Sequence, residues 1–183
     1  MDILISSNLE RLLYHLAGAE AVHGWMAELT EHRRFTVDRA TFATMRETFL
    51  GDWVNNDESL ATIARVYAEC GYLMDAHTAV AWEVAERLRG EDPVLVVSTA
   101  HWAKFGADVY RALTGVAAGA PLAGEAARMT GLELLDEVRR LAPDAAPVPA
   151  PLTELAELPE RFGEVVDAGR EGIEGAVREW LRS

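Results

Sequence analysis

The chain has 183 residues, half of them apolar and 26% charged, a composition that suits one globular domain with a sizeable core. Its net charge of −13 excludes a basic groove for nucleic acid and a basic face for an anionic membrane surface. No long apolar run or signal-peptide pattern appears, so a cytoplasmic protein is the default expectation. A single cysteine, Cys70, leaves no internal disulfide, and Lys104 is the sole lysine.

In chain order, Ile3 to Ile5 reads as a short buried strand with no leading segment, which favours a missing upstream part. Ser7 or Asn8 then caps a helix whose Leu9, Leu12, Leu13 and Leu16 form one stripe, stopped at Gly18. Val22, Trp25, Met26 and Leu29 repeat the spacing on a second helix. Phe35 to Val37 is a brief extended candidate, and Asp38 caps a helix carrying Phe42, Met45 and Phe49. Leu60, Ile63, Val66 and Tyr67 mark the next, closed by Gly71. Asp75 and His77 lie in a turn before a helix over residues 78–89.

Val94 to Val97 follow Asp92 and Pro93 as four consecutive apolar residues, which predicts a strand covered on both faces. Ser98, Thr99, His101 and Lys104 come at its carboxyl end, the end where open α/β sheets bind ligands. Helices are expected through Phe105, Val109, Ala112 and Leu113, and through Leu134, Leu135, Val138 and Leu141. A Pro/Ala connector spans residues 142–151. The last helix is expected from near Pro159 through Phe162, Val165, Val166, Ile173, Val177, Trp180 and Leu181. The fold class is therefore α/β, predominantly helical, with two or three short strands that would be orphans in isolation. They are expected to complete a sheet supplied by a missing amino-terminal part.

Three blocks together carry a family resemblance: residues 1–13 (MDILISSNLERLL), 71–82 (GYLMDAHTAVAW) and 97–105 (VSTAHWAKF), with a weaker match at 147–152 (PVPAPL). The chain resembles the carboxyl-terminal portion of threonine synthase, a pyridoxal 5′-phosphate enzyme of the tryptophan-synthase-β fold type. The resemblance implies residues 1–141 as part of the catalytic domain with a helical insertion, the connector 142–151, and a carboxyl-terminal helix in 152–183. It implies conversion of O-phospho-L-homoserine and water into L-threonine and phosphate, with the cofactor as electron sink. The family's Schiff-base lysine and Gly-rich phosphate loop lie upstream, and Lys104 matches a different position. This chain alone is therefore expected to be inactive and to supply one wall of the pocket, with the missing amino-terminal part as its partner.

The resemblance implies Thr99 as hydroxyl partner of the pyridine nitrogen, with Ser98 the neighbouring alternative, and Asp75, His77 and Thr78 in a turn beside the ring. His101, Lys104 and Asn8 are candidates for holding the anionic substrate. Each has a plainer reading: a strand-end hydroxyl for Thr99, helix caps for Asp75 and Asn8, and a first-turn helix surface for His101 and Lys104. Ala76 and Trp102 depart from the family pattern, which has Pro and a small residue or Pro there. His15, His23 and His32 lie on separate helical faces, so no metal site is expected. Two rival functions stay open: a non-catalytic remnant or interaction module, and a related elimination or replacement enzyme with another substrate.

Overall fold

The computed structural model describes residues 6–159, 163 and 165–182. The chain divides into two compact units, Met1–Pro147 and Val148–Ser183. The first holds α1 (Ser7–His32), α2 (Arg39–Thr48), α3 (Asn56–Cys70), α4 (Ala76–Leu88), α5 (Gly106–Thr114) and α6 (Gly131–Leu141). The second holds α7 (Ala150–Glu154) and α8 (Arg170–Trp180).

Most of these helices begin at a side chain that satisfies the free N–H groups of the first turn. Asn55 accepts from the Glu58 N–H at 2.9 Å while Glu58 accepts from the Asn55 N–H at 2.9 Å, a reciprocal capping box at α3. Thr130 and Glu133 repeat the arrangement at α6. Asp38 caps α2 through the N–H groups of Ala40 and Thr41. Gly71, left-handed at φ +71°, closes α3 by donating to the Tyr67 carbonyl. Gly18, at φ +82° and ψ 175°, interrupts α1, so the two apolar stripes read from the sequence become two helical stretches in one element.

α3 packs against α4 and α5, α5 against α6, and α1 against α2. Leu60, Ile63 and Val66 of α3 meet a core that includes Val109, Val138, Leu73, Met74 and Trp102, all buried. Each such aliphatic side chain contributes about 1.5–3 kcal/mol by leaving water. Arg87 on α4 donates to Glu83 (3.1 Å), Glu58 (2.9 Å) and the Trp53 carbonyl (3.1 Å), which ties α3, α4 and the loop before α3 together.

Two sequence expectations are not met among the described residues. No strand is present among the described residues. Residues 94–97 have no ladder partner, and Val94, Leu95 and Val97 are 52%, 88% and 67% exposed. A strand exists only through hydrogen bonds to a neighbour, so apolar β-branched sequence alone does not make one. Phe35 to Val37 also joins two helices without pairing, and Ile3 to Ile5 lie outside the described residues. The last helix begins at Arg170 rather than near Pro159. A short 3-10 turn, Leu155–Glu157, precedes it, and the β-branched Val165 and Val166 with Gly169 weaken helix propensity in between. Phe162 lies outside the described residues. No described helix is long and apolar enough to cross a membrane.

Candidate functional site

The site is built on the turn between α3 and α4. Gly71 reverses the chain, Leu73 and Met74 drop into the core, and Asp75 follows fully buried. Asp75 caps α4. Its Oδ1 accepts the N–H of His77 at 2.9 Å and of Thr78 at 3.4 Å, and lies 3.1 Å from His77 Nδ1. Its Oδ2 accepts a short hydrogen bond from the Thr78 hydroxyl. The helix N-terminus and these donors together compensate a carboxylate taken out of water. Ala76, at the first helical position, leaves its carbonyl to the Ser59 hydroxyl (3.2 Å). Proline is also at home at a first helical position.

The second element is the turn after residue 97. Thr78 Oγ1 lies 3.0 Å from Ser98 Oγ, which joins this turn to the start of α4. His101 Nδ1 accepts the Ala103 N–H at 3.2 Å and caps a 3-10 turn, Trp102–Phe105, that leads into α5. Trp102 is buried and donates from Nε1 to the Ala146 carbonyl at 2.8 Å. Trp102 thus anchors this turn in the core. Burial pushes the His101 imidazole below the ordinary histidine range, and the nearby charge of Asp75 only partly opposes this.

Between the two turns lies an open cleft of about 430 Å³, lined by Tyr72, Leu73, Met74, Ala146 and residues 98–102. Ser98, Thr99 and His101 of the predicted site residues line it. Asp75 and His77 sit behind it, with His77 packed on Phe105 at 4.6 Å between ring centroids. Lys104 does not line it. Its ammonium stands 5.6 Å from the Phe105 ring centroid. Asn8 is not brought there either, since its Oδ1 accepts from Arg11 Nη2 at 2.7 Å on α1. Sequence reading missed Tyr72, Met74 and Ala146 as lining, and placed Thr78 in the turn without its link to Ser98. The block at 71–82 contained three of these, but nothing local signalled Ala146, 44 residues from its partner Trp102. Among the described residues, no group of three or more His, Cys, Asp or Glu side chains could hold a metal ion.

Comparison with known proteins bears on the same region. The family model described as "Threonine synthase, C-terminal" matches residues 78–177. The Homo sapiens protein named Threonine synthase-like 1 is 37% identical over 116 residues, covering 62% of this chain and 16% of that protein. Threonine synthase of Saccharomyces cerevisiae is 37% identical over 135 residues, covering 63% of this chain and 26% of the yeast protein. The chain therefore spans about a quarter or less of the length of these curated relatives. A crystal structure of threonine synthase from Brucella melitensis with bound pyridoxal phosphate superposes with a TM-score of 0.56 at 33% identity. That match covers 78% of this chain and 33% of the other.

Proposed function

The chain belongs to the threonine synthase family, and from that premise we propose that it forms one wall of a pyridoxal-phosphate pocket. The enzyme would convert O-phospho-L-homoserine and water into L-threonine and phosphate. The observation that carries this reading is the cleft itself. Its walls come mainly from residues 72–74 and 98–102, which fall in two of the three sequence blocks that carry the family resemblance.

The residues present fit the ring end of the cofactor. Thr99 lines the cleft and its hydroxyl makes no hydrogen bond to any described residue, so in this proposal it is available to a pyridine nitrogen. Tyr72, Leu73, Met74 and Trp102 provide the apolar sides that a planar ring requires. Asp75 and His77 stand behind that wall in this proposal and shape it without touching the cofactor. When bound, pyridoxal phosphate supplies an electron sink for the reaction's carbanions. With Nδ1 accepting from the Ala103 N–H, a neutral His101 carries its proton on Nε2 and offers a donor to an anionic substrate. Lys104, on the exposed side of the 3-10 turn, adds longer-range attraction for that anion.

No lysine or arginine lines the cleft among the described residues. In this proposal the Schiff-base lysine and the phosphate cradle come from an amino-terminal part of the enzyme. The exposed run at residues 94–97 is where that part would pair, turning bare apolar residues into a covered strand. Co-expression with an amino-terminal threonine synthase part carrying the lysine tests the reading. Cofactor absorbance and phosphate release from O-phospho-L-homoserine are expected. A stable, cofactor-loaded complex that releases no phosphate would overturn the assigned reaction.

A further inference from the structure

Ser98 and Thr99 are adjacent hydroxyls in one cleft, and counting their protons separates them. A carboxylate only accepts, so the Thr78 hydroxyl spends its single proton on Asp75 Oδ2. The 3.0 Å bond between Thr78 Oγ1 and Ser98 Oγ then requires the proton of Ser98. The one competitor for that proton is the Ala100 carbonyl, 3.3 Å away and also only an acceptor. Whichever acceptor holds it, Ser98 has no proton left to offer a ligand. Thr99, with no described hydrogen-bond partner, keeps its own.

We propose that Asp75 and Thr78 are positioning residues for the cleft. Through a chain of hydrogen bonds, Asp75 to Thr78 to Ser98, they fasten the 98–101 turn to the start of α4. They also commit the Ser98 hydroxyl as a donor within the chain and leave Thr99 as the sole hydroxyl of the pair with a proton to offer a ligand. This rests on the proposed pocket for its ligand, a ring nitrogen that accepts from Thr99, but the fastening belongs to the chain itself. Asp75 is suited to anchor it because it is fully buried and its carboxylate is held by the helix N-terminus on one side. Ser98, by contrast, sits in an exposed turn where no other described side chain restrains it.

The test is backbone ¹⁵N relaxation on the whole chain without cofactor. In the wild-type chain residues 98–100 are expected to be rigid, with order parameters near about 0.85. Thr78→Val, which keeps the side-chain shape and removes the hydroxyl, should drop them below about 0.6. Thr78→Ser, which keeps the hydroxyl, should restore them. Ser98→Ala, which leaves the α4 cap untouched, should loosen the same turn while α4 amides stay as in the wild type. Adding Ser98→Ala to Thr78→Val should loosen it no further. Unchanged order parameters in Ser98→Ala, additive effects in the double variant, or failure of Thr78→Ser to restore rigidity would each overturn the proposal. Cofactor absorbance of the co-expressed complex is read separately. A rigid, rescued turn with no cofactor bound would sink the proposed pocket and leave the fastening standing.

Discussion

Two neighbouring regions of this molecule behave in opposite ways. Around Asp75, buried polar groups find their partners within the chain: two backbone N–H groups, a histidine ring and the Thr78 hydroxyl. Directly before Ser98, the run at 94–97 is apolar, largely exposed and unpaired. One region is finished by local sequence and short-range packing. The other carries the composition of a buried strand without anything to bury it. The contrast teaches that a polar turn can be completed by its own helix cap, whereas a strand is a property of two chains of atoms.

The largest effect is expected on the finished side. Trp102→Ala removes a buried aromatic and its hydrogen bond to Ala146, and should cost about 3–5 kcal/mol in denaturant unfolding. Asp75→Ala strands the donors of His77 and Thr78 and should cost about 1–3 kcal/mol in the same measurement.

A smaller effect follows from pH. Burial lowers the pKa of His101 in the folded chain, so the unfolded chain binds the proton first. Stability is therefore full above the ordinary histidine value. It falls as pH drops below about 6.5 and levels off once the folded His101 is itself protonated. His101→Asn offers an amide oxygen to the Ala103 N–H and should flatten that step in melting temperature against pH. The smallest effect belongs to the unfinished side. Leu95→Lys should leave the stability of the isolated chain within about 0.5 kcal/mol, because Leu95 is 88% exposed. The same change should abolish assembly with an amino-terminal part in a co-purification assay.

The helices were legible in the sequence because their signals are local: the stripe of Leu60, Ile63 and Val66, Asp38 as a cap, glycine at 71. The two site turns were legible too, through the residue blocks that contain them. What joins them was not, since Thr78 and Ser98 are 20 residues apart and neither position advertises the other. The strand expected at 94–97 is not formed here for the complementary reason: its apolar pattern is real, but the ladder that would give it meaning is absent among the described residues. The last helix was read as starting too early because helical spacing of apolar residues continues through Val165 and Val166, which are not helical here.

Amide hydrogen exchange at residues 94–97 tests the central claim most directly, measured on the isolated chain and on its cofactor-loaded complex with an amino-terminal threonine synthase part. The account predicts fast exchange in the isolated chain and strong protection in the complex, with the α4 amides behind Asp75 protected in both. A complex that binds pyridoxal phosphate while residues 94–97 exchange as freely as before would contradict it.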